Sequence, residues 1–563
     1  MKIIIVGGVA GGASAAARLR RLDENAEITI YERSGYISYA NCGLPYYIGE
    51  VITNKNALTL QTPESFYKRF RIKARVNHEV IDINTKEKSV TVKILDTGEE
   101  FKDSYDKLIL STGAKAFKPE IKGIDLENIF TLRTVEDAYK IHNHIKSLEM
   151  KSVVVVGGGF VGLETAENLK ALGVDVTIIE SSNQLLSVLD YDMASQVHAI
   201  LRQNGIKLHI GKSITAFEKN DDKIVCICDD NKKISTDIVM LAIGVIPDTS
   251  LAKKASLKTG IKGSIIVNDK METSISDIYA VGDAIEVEHF ITGEKSLISL
   301  AGPANKQGRI AADNIANKNS HYDGSQGSAI IKLFDMTVAS TGINERQAKM
   351  LNLDYEKVIL SPASHATYYP NGKVMTMKVI FERTENKILG AQIIGFDGVD
   401  KRIDVIATAI RAKMKASELA ELELSYAPPF SSAKDPVNMA GFIIENNMNG
   451  LVKQFYYEDI AKLQSDISVF LLDSRTPMEY KNGHVDGFIN IPVDEIRDRL
   501  SEIPKDKTIY VMCQSGVRSY IACRILSGLG YDCKNFAGGY RFYSMIENER
   551  LINTNSFSCG MDK

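Results

Sequence analysis

Two short apolar runs, each ending in a cluster of glycines, stand out in the pattern of hydrophobic and polar positions. Lys2–Val6 leads into the hexapeptide GGVAGG, and Ser152–Val156 leads into GGGFVG. Each turn is followed by a helical stretch rich in alanine and leucine, and then by a second apolar strand that ends in an acid, Glu32 or Glu180. The pattern predicts two copies of a strand–turn–helix–strand unit.

A glycine turn that opens a helix and is followed by an acid is typical of a dinucleotide-binding site. The glycines let backbone N–H groups approach a pyrophosphate, and the acid accepts hydrogen bonds from a ribose. Val9 stands where the second glycine is expected, so we expect Gly8 and Gly11 to allow the close approach. The carboxylate of Glu180 repels a 2′-phosphate, which predicts NADH over NADPH unless a nearby lysine or arginine reverses the preference. The predicted contacts are Gly7, Gly8, Ala10, Gly11 and Glu32 in the first copy, and Gly157, Gly159, Phe160, Gly162 and Glu180 in the second.

Composition places the chain among ordinary soluble globular proteins. Of 563 residues, 44% are apolar and 25% charged, with a net charge of 68 − 71 = −3, which argues against disorder, a fibre, and binding to nucleic acid or an anionic membrane. No run of 18 apolar residues appears, so membrane insertion is not expected. The cysteines are too few and too irregular for a disulfide framework, which predicts a cytoplasmic protein. They are Cys42, Cys226, Cys228, Cys513, Cys523, Cys533 and Cys559.

Two further segments indicate that the first copy binds a flavin. The segment TSISDIYAVGD, which ends in Gly282 and Asp283, resembles the second FAD motif of flavoproteins with two dinucleotide-binding domains, where the aspartate holds the ribityl chain. The STGA segment with Thr112 and Gly113 resembles the motif that closes the first half of the FAD domain. Residues 1–320 are therefore expected to run FAD, NAD, FAD. Arg33 and Asn41 are also assigned to the flavin nucleotide.

One cysteine lies where such a flavoprotein brings a thiol to its flavin. Cys42 stands in the segment SYANCGLP, and the next cysteine along the chain is Cys226. Without a local partner, a lone thiol beside a flavin works by forming a mixed disulfide or persulfide with a small thiol. A buried structural cysteine is the alternative interpretation.

The Ser-x-x-x-Cys spacing after a GGVAGG turn resembles the coenzyme A-disulfide reductases, flavoproteins related to NADH oxidases and peroxidases. The resemblance covers residues 1 to about 445. It implies catalytic tyrosines at Tyr368, in HATYYP, and Tyr426, in SYAPP, with Tyr369 as the alternative to Tyr368. In the family these tyrosines reach the active site of the partner subunit, which implies a homodimer.

Coenzyme A requires cationic contacts for its phosphates. Arg18 and Arg21 are three residues apart on the first helix and share a face, although a solvated basic face is the alternative interpretation. The family often has a histidine near Asn305, and its absence leaves that contact open. By position in the family, the coenzyme A contacts are Ser14, Arg18, Arg21, Ser38, Asn41, Arg71 and Lys434.

A second reactive thiol is predicted near the C-terminus. Cys513 opens the loop CQSGVRS directly after the apolar run Thr508–Met512, where backbone N–H groups would hold an anion or a persulfide. Together with other segments this loop resembles a single rhodanese domain over residues 460–550, and the Cys-x4-Arg spacing to Arg518 implies a pocket sized for a sulfane sulfur. A domain retained only for docking is the alternative. The other segments are Asp473-Ser474-Arg475, GHVDG at 483–487, Asn490-Ile491-Pro492 and GGY at 538–540.

The remaining cysteines carry no motif. Cys523, Cys533 and Cys559 are interpreted as structural, and the pair Cys226 and Cys228 lacks the second pair that a zinc site needs, so no metal is predicted.

These observations predict an α/β chain with two Rossmann-like domains, an α+β dimerisation domain and a C-terminal α/β rhodanese domain. The expected activity is NADH-dependent reduction of coenzyme A disulfide and of coenzyme A persulfide or polysulfide. An NADH oxidase or peroxidase, and a sulfur carrier or redox sensor, are the alternatives. The expected domains are FAD-binding 1–148, NAD-binding 149–253, FAD-binding 254–322, dimerisation 323–445, a helical connector 446–462 and rhodanese 463–563.

Overall fold

The computed structural model describes residues 1–147 and 151–558. The predicted boundary between residues 148 and 149, and Cys559, lie outside the described residues. The chain divides into two compact units. One comprises Met1–Asn183 with Gly205–Gly327, and the other comprises Gln184–Asn204 with Ser328–Lys563.

The first unit contains a five-stranded parallel sheet built round the first apolar run. Ile3, Ile4 and Ile5 are fully buried, because a parallel sheet is covered on both faces and has no polar side. The helix Ala10–Leu22 follows the glycine turn at the carboxyl end of this strand. From edge to edge the strands are Ile278–Ala280, Lys107–Leu110, Lys2–Val6, Glu27–Tyr31 and Lys73–Arg75.

A second parallel sheet in the same unit repeats this arrangement round the second apolar run. Its central strand Ser152–Val156 leads through the second glycine turn into the helix Phe160–Ala171. The central strands of both sheets have the predicted bounds. From edge to edge the strands are Lys207–Ile210, Asp175–Glu180, Ser152–Val156, Ile238–Leu241 and Ile129–Thr131.

The other elements of the first unit are small antiparallel sheets and helices. Two antiparallel sheets have three strands each: His78–Asn84, Ser89–Ile94 and Glu100–Ser104, and Ile214–Asn220, Lys223–Cys228 and Lys233–Thr236. Two strand pairs are Ala114–Ala116 with Val245–Pro247, and Val287–Glu288 with Lys295–Ser296. The further helices are Leu44–Ile48, Pro63–Phe70, Val135–Ser147, Ser250–Lys254 and Ala301–Ile315.

The second unit begins with a five-stranded antiparallel sheet, covered by the helix Val399–Arg411. The predicted strand Val374–Phe381 is observed as Thr376–Glu382, and the predicted helix Ile403–Ala412 starts earlier, at Val399. The helix starts there because Gly398 takes a left-handed conformation, with φ of 67°, which favours glycine. From edge to edge the strands are Ala329–Leu333, Met336–Gly342, Ile388–Gly395, Thr376–Glu382 and Tyr355–Leu360.

A second sheet in this unit is parallel, and its central strand leads into the loop that begins at Cys513. The prediction of a helical connector over residues 446–462 is wrong in part. The helix Pro436–Met448 ends early, and Lys453–Phe455 is a strand that pairs with Cys533–Phe536. From edge to edge the strands are Lys453–Phe455, Cys533–Phe536, Thr508–Met512, Val469–Asp473 and Ile489–Asn490.

A buried charge cluster fixes the segment Gln184–Asn204 within the second unit. The ammonium of Lys378 is fully buried and lies 3.0 Å from Asp190 and 2.9 Å from Asp192, and it also contacts Glu345. These three carboxylates could hold a cation, and Lys378 supplies that positive charge. Removing one member of a buried ion pair typically costs about 3–5 kcal/mol.

Further helices in the second unit surround these sheets. None of the helices in the described ranges is both long and apolar enough to cross a membrane. The helices not yet named are Tyr191–Gln203, Glu345–Met350, Ile460–Leu463, Pro477–Lys481, Val517–Gly528 and Gly539–Ser558.

Candidate active sites

The two acids predicted to contact ribose hold their glycine turns in the same way. The Gly8 amide donates to Glu32 Oε2 at 2.8 Å, and the Gly158 amide donates to Glu180 Oε2 at 2.7 Å. The second oxygen of each carboxylate accepts an amide two residues further on, from Ser34 at 2.9 Å and from Ser182 at 2.7 Å. The internal repeat therefore extends from the sequence pattern to single hydrogen bonds.

Glycine is required at the first position of both turns. Gly7 and Gly157 have φ of 98° and 107°, and a Cβ would lie 2.1 Å from the carbonyl oxygen of Ser111 or 2.4 Å from that of Ala242. A Cβ at Gly159 would have no neighbour within 4 Å, which leaves room for a ligand. Gly162 is required for packing, since its Cβ would lie 2.2 Å from the Gly157 carbonyl oxygen. Ala10 and Phe160 are the first helical residues after the turns.

Gly8 and Gly11 also have a packing constraint within the protein, while their approach to a pyrophosphate stays a prediction. A Cβ at Gly8 would meet Ile37 Cγ2 at 2.9 Å, and one at Gly11 would meet Val281 Cγ2 at 2.8 Å. In this structure both glycines are needed because neighbouring side chains pack against them.

A cavity of about 230 Å³ opens at the carboxyl ends of the first sheet's central strands. This is where open α/β sheets bind nucleotides. Gly7 of the first glycine turn lines this cavity, and the walls carry both signs of charge, so the residues present fit a dinucleotide. The predicted contacts in its lining are Gly7, Glu32, Arg33, Asn41, Thr112 and Gly113.

Several polar residues around this cavity were not predicted. Asp248 accepts from Arg33 Nη1 at 2.8 Å, and its carbonyl accepts from the Thr112 hydroxyl at 2.6 Å. Arg133 lies 2.5 Å from the carboxylate of Asp283. The Gly282 amide before that aspartate donates to Gln307 Oε1 at 2.8 Å. No local motif marks Asp248, Arg133 or Gln307, because their partners are distant in sequence.

Cys42 lies on a short 3₁₀ turn, Asn41–Gly43, which leads into the helix Leu44–Ile48. The turn is anchored to the first glycine loop, since the Ser38 amide donates to the Gly8 carbonyl at 2.8 Å. Although Cys42 keeps an exposed surface, protein atoms packed round its thiol raise its pKa. The negative charge of Glu164 raises this pKa further, and Arg133 acts in the opposite direction.

A tyrosine–glutamate pair beside Cys42 also had no signal in the sequence. The Tyr46 hydroxyl donates to Glu164 Oε1 at 3.2 Å. Burial raises the pKa of Glu164 to about 7, and burial together with the Glu164 charge raises the pKa of Tyr46 to about 12. Glu164 therefore changes its charge near neutral pH, beside the Cys42 thiol.

The predicted coenzyme A contacts differ in their hydrogen-bond partners and in their exposure. The Ser14 hydroxyl donates to Asn305 at 2.5 Å, and Arg18 Nε donates to Asp313 at 2.7 Å. Arg21 is exposed, whereas its neighbour Arg20 is buried and donates to backbone carbonyls.

Two further coenzyme A candidates lie in other elements. Arg71 caps the helix Pro63–Phe70 with φ of 50°, and its guanidinium lies 5.3 Å from the Tyr67 ring. Lys434 is exposed in the second unit.

The structure brings the two predicted catalytic tyrosines together. The hydroxyls of Tyr368 and Tyr426 are 2.7 Å apart, and the residues are 74% and 46% exposed. This hydrogen bond raises the pKa of Tyr368. Tyr369 instead packs edge-on against the His365 ring, at 5.7 Å between centroids. Of the two neighbours, Tyr368 is the one whose hydroxyl meets Tyr426.

Cys513 is fully buried at the end of the strand Thr508–Met512. Its sulfur accepts the Gly516 amide at 3.1 Å and the Ser519 hydroxyl at 3.2 Å. Gly516 has φ of 99°, which lets the loop turn back over the sulfur. The loop therefore presents hydrogen-bond donors to whatever charge develops on Cys513.

Arg518 is the last residue of the predicted Cys-x4-Arg loop, and its side chain forms an ion pair with Glu479. Its guanidinium makes two 2.7 Å bonds to Glu479, and these hold the pKa of Glu479 at about 2. A role for Arg518 in binding a sulfur substrate requires it to share its donors with Glu479.

The other segments of the predicted rhodanese pattern meet in one buried network. Asp473 and Arg475 form a buried ion pair at 2.7 Å, and the Arg475 guanidinium stacks 3.9 Å from the Tyr540 ring. Arg475 also donates to the Gly483 carbonyl, and the Asn490 amide donates to the carbonyls of Asp473 and Arg475. The separate segments are therefore the parts of one scaffold beneath the Cys513 loop.

Comparisons with known proteins assign these elements to families. The pyridine nucleotide-disulphide oxidoreductase model matches residues 1–308, its dimerisation-domain model matches 328–436, and the rhodanese-like domain model matches 457–545. The predicted fold class and family resemblance are confirmed by these matches.

Individual relatives agree with this assignment. A coenzyme A disulfide reductase of Staphylococcus haemolyticus is 38% identical over 442 residues, which are 78% of this chain and 98% of that protein. The solved structure of reduced Bacillus anthracis CoADR-RHD superposes with a TM-score of 0.96 at 48% identity, covering 98% of each chain. That of a NAD-dependent persulfide reductase from A. fulgidus gives 0.91 at 37% identity, covering 96% of this chain and 100% of that one. The chain therefore belongs to the pyridine nucleotide-disulphide oxidoreductase family, in its coenzyme A disulfide reductase branch, and carries a C-terminal rhodanese-like domain.

Proposed function

We propose that this protein is an NADH-dependent reductase of coenzyme A disulfide and coenzyme A persulfide. The observation that carries the proposal is the lone Cys42 thiol beside the dinucleotide cavity. The other cysteines in the described ranges are buried, so a disulfide at Cys42 forms with a thiol from solution. The names of the relatives support coenzyme A disulfide and persulfide as substrates.

The two glycine turns would hold FAD and NADH, in that order along the chain. Glu32 and Glu180 would accept the ribose hydroxyls, while Arg33 and Thr112 would line the flavin side of the cavity. When bound, FAD supplies a two-electron relay from the nicotinamide to a disulfide. The Glu180 carboxylate is held by the Gly158 and Ser182 amides. Its negative charge would repel a 2′-phosphate, which supports NADH rather than NADPH as the electron donor.

Cys42 performs the chemistry in two steps. Its thiolate attacks one sulfur of coenzyme A disulfide, breaks the S–S bond and releases one coenzyme A, which leaves a mixed disulfide. Two electrons and a proton then release the second coenzyme A, so the net reaction is NADH + H⁺ + CoAS–SCoA → NAD⁺ + 2 CoASH. With a persulfide, attack on the outer sulfur leaves Cys42 persulfide, whose reduction releases sulfide: NADH + H⁺ + CoAS–SH → NAD⁺ + CoASH + H₂S.

The tyrosine pair supports a homodimer in which each subunit completes the other's site. Tyr368 and Tyr426 would donate a proton to the departing coenzyme A thiolate of the partner subunit. Their exposure in one subunit is what such a role requires. Lys434 would reach the coenzyme A of the partner in the same way.

Basic side chains of the helix Ala10–Leu22 would bind the coenzyme A phosphates. Arg21 is exposed, and Arg18 uses only its Nε on Asp313, so both retain guanidinium donors for a phosphate. Ser14, Ser38, Asn41 and Arg71 complete the proposed set.

In the C-terminal domain, Cys513 would accept a sulfane sulfur as a persulfide. The Gly516 amide and the Ser519 hydroxyl already bond its sulfur and would stabilise the anion. The proposed role is to supply persulfide to coenzyme A.

Replacement of Cys42 tests the reductase. In Cys42→Ser, anaerobic NADH consumption with coenzyme A disulfide or persulfide should fall at least about a hundredfold, since the nucleophile is lost. FAD content, measured by absorbance, should be unchanged. Cys226→Ser is the matched control and should retain activity.

Other outcomes of that experiment point to the alternatives. Substantial turnover in Cys42→Ser would show that the reductive site is misassigned. Rapid NADH consumption by the wild type with oxygen alone would favour an oxidase, in which Cys42 cycles through sulfenic acid. Slow turnover with every substrate, but stoichiometric sulfur loading of Cys513, would favour a sulfur carrier.

Replacement of Cys513 tests the second site. Cys513→Ser should keep coenzyme A disulfide reduction but lose sulfur transfer from thiosulfate or polysulfide by about a hundredfold. The measurement is thiocyanate formation with cyanide as acceptor. An unchanged transfer rate would show that the C-terminal domain serves docking only.

A further inference from the structure

The ion pair between Arg518 and Glu479, at the end of the Cys513 loop, is held in a fixed geometry. Arg518 Nη1 and Nη2 donate to the two carboxylate oxygens of Glu479, each at 2.7 Å. The same carboxylate accepts the Thr476 amide at 3.0 Å and the Thr476 hydroxyl at 2.9 Å, in the capping box of the helix Pro477–Lys481. Because Glu479 is part of a helix cap, its carboxylate is fixed before any ligand arrives.

This ion pair lies within electrostatic reach of the Cys513 thiol. Arg518 directly precedes Ser519, whose hydroxyl contacts Cys513 Sγ at 3.2 Å. The hydrogen bonds to Glu479 are the main cause of the raised pKa of Arg518, and charge on Cys513 adds to the rise. The side chains of Arg518 and Glu479 are each 32% exposed, whereas Cys513 is fully buried. The ion pair is therefore accessible to solutes and close enough to influence an anion that reacts at the thiol.

Two arginines at this loop are each matched by a carboxylate. Arg475 Nη1 lies 3.4 Å from Gln514 Oε1 in the loop, and the Arg475 guanidinium forms a 2.7 Å ion pair with Asp473. Arg518 is matched by Glu479 in the same way. Neither ion pair presents a net positive charge to an approaching anion.

This arrangement treats sulfur donors of different charge differently. Thiosulfate carries two negative charges, whereas a persulfide anion carries one. The Gly516 amide and the Ser519 hydroxyl, which already bond Cys513 Sγ, supply donors for one charge at the thiol. The second charge of thiosulfate, on its sulfonate oxygens, would have to take the donors of Arg518 from Glu479. The displaced carboxylate would then lie unpaired beside the anion, which is unfavourable.

We propose that Glu479 is a specificity-determining residue, which makes the Cys513 site select sulfane-sulfur donors with a single negative charge over dianionic thiosulfate. The substrate class is a small persulfide anion. The proposal rests on the sulfur transfer proposed for Cys513 and names the donor for that transfer. It is independent of the reaction at Cys42.

The transfer step is the same for a donor of either charge. The Cys513 thiolate attacks the outer sulfur, a new S–S bond forms, and the S–S bond of the donor breaks. With thiosulfate, sulfite leaves: Cys513–S⁻ + S₂O₃²⁻ → Cys513–S–S⁻ + SO₃²⁻. With methanethiosulfonate, in which a methyl group replaces one anionic oxygen, methanesulfinate leaves: Cys513–S⁻ + CH₃SO₂S⁻ → Cys513–S–S⁻ + CH₃SO₂⁻. These two donors differ by one negative charge and little in size, so they are suitable probes of the selection.

The experiment uses full-length holoenzyme without NADH, with cyanide as the acceptor and thiocyanate as the measured product. The value of kcat/KM is determined for thiosulfate and for methanethiosulfonate, and the readout is the ratio of the first to the second. Glu479→Gln should raise this ratio about tenfold or more, because the guanidinium of Arg518 keeps its charge while its acidic partner becomes neutral. The substitution keeps the helix cap, since a capping box accepts glutamine as well as glutamate.

Three further variants define the cause of such a change. Arg518→Ala leaves the Glu479 charge uncompensated, so the ratio should fall below the wild-type value. The double variant Glu479→Gln/Arg518→Ala removes both charges and should return the ratio towards the wild-type value. Glu502→Gln is the matched control, because it removes a carboxylate from an ion pair with Arg499 in the same domain, and it should leave the ratio unchanged.

The possible outcomes separate this proposal from the sulfur transfer on which it rests. A purely structural role for Glu479 would lower transfer from both donors alike, and an unchanged ratio in Glu479→Gln would overturn the proposed selection alone. A ratio in Arg518→Ala at or above the wild-type value would overturn it as well. No thiocyanate from either donor with the wild-type protein would instead overturn the sulfur transfer at Cys513, and the selection with it.

Discussion

At the scale of single residues, the two proposed catalytic cysteines have contrasting electrostatic surroundings. Cys513 receives hydrogen-bond donors from its own loop, a backbone N–H and a hydroxyl. Cys42 is influenced by ionisable side chains from other elements, chiefly Glu164 and, with opposite sign, Arg133. The reactivity of Cys42 therefore depends on a neighbour that itself titrates near neutral pH.

This arrangement predicts how Glu164 affects the thiol. Above pH 7 the Glu164 carboxylate is charged and raises the pKa of Cys42. In Glu164→Gln that charge is absent, so the pKa of Cys42 should fall and more thiolate should be present at pH 7.5–8.5. The measurement is the pH dependence of iodoacetamide alkylation of Cys42 in reduced holoenzyme, which should shift to lower pH.

Glu50→Gln is the matched control for this experiment. Glu50 lies two residues past the helix that follows Cys42 and is paired with Lys146 and His142. Its removal should leave the alkylation profile in place. An equal shift in both variants, or none in Glu164→Gln, would contradict the prediction.

Residues that belong to a local sequence motif could be predicted from the sequence. Residues that change the pKa of a motif residue from elsewhere in the chain could not. Cys42, Cys513, Glu32 and Glu180 each stand at a fixed place in a strand–turn–helix unit. Glu164 lies on the helix of the second strand–turn–helix repeat. It acts on Cys42 only because the first repeat, which contains Cys42, folds beside that helix. Such pairings depend on tertiary contacts, which periodicity does not encode.

At the scale of secondary-structure elements, the C-terminal helix Gly539–Ser558 is attached through one buried acid. Both oxygens of Glu549 lie 2.9 Å from Arg202 Nη1, and His198 Nδ1 lies 3.2 Å from Oε1. The Leu185 amide donates to His198 Nε2 at 3.1 Å, so that nitrogen carries no proton. Burial, opposed by Glu549, lowers the pKa of His198.

This attachment should weaken in acid. Because the pKa of His198 is lower in the folded protein than its unfolded value of about 6.5, the unfolded state binds more protons as the pH falls. The stabilisation is complete above pH 6.5 and is lost progressively below it. Hydrogen exchange of peptides from 539–552, corrected for intrinsic rates, should show less protection at pH 5.5 than at pH 7.5.

His198→Gln should reduce this pH dependence, since an amide does not titrate in this range. Glu549, Arg202 and the Tyr191 ring remain around the substituted side chain. His321→Gln, at an exposed histidine paired with Asp269, should leave the pH dependence as in the wild type. Equal pH dependence in His198→Gln and the wild type would show that another group titrates.

The central strands were predicted to the residue, because runs such as Ile3-Ile4-Ile5 are apolar on both faces and end at glycine. Prediction failed at residues 446–462, where apolar and polar residues follow neither helical nor strand periodicity. Lys453–Phe455 is a strand because Cys533–Phe536 lies alongside it, and that partner is about 80 residues further along the chain.

At the scale of the whole molecule, the proposed homodimer makes each active site a joint product of two subunits. Cells producing both Cys42→Ser and the double variant Tyr368→Phe/Tyr426→Phe would yield mixed dimers. One active site of a mixed dimer would lack both the cysteine and the tyrosines. The other site would have the cysteine of the tyrosine variant and the tyrosines of the Cys42→Ser chain, so it would be intact. Purified by two different affinity tags, the mixed dimer should show about half of the wild-type activity.

Each parental dimer serves as the control. Both should be much less active than the mixed dimer, since all of their sites are defective. If the tyrosines act on the cysteine of their own chain, the mixed dimer would have no intact site and would show no recovery. The readout is anaerobic NADH consumption with coenzyme A disulfide.

The hydrogen bond between Tyr368 and Tyr426 has a consequence for how the pair offers protons. Each phenol carries one proton, and one of the two protons occupies the bond between them. The pair therefore always presents a single outward proton, and rotation of the two hydroxyls decides which ring presents it. A lone tyrosine at either position would still present one, so the two rings are redundant as proton sources. What the second ring adds is a choice of direction, which suits a site whose leaving group is a coenzyme A thiolate in one reaction and a sulfide in the other.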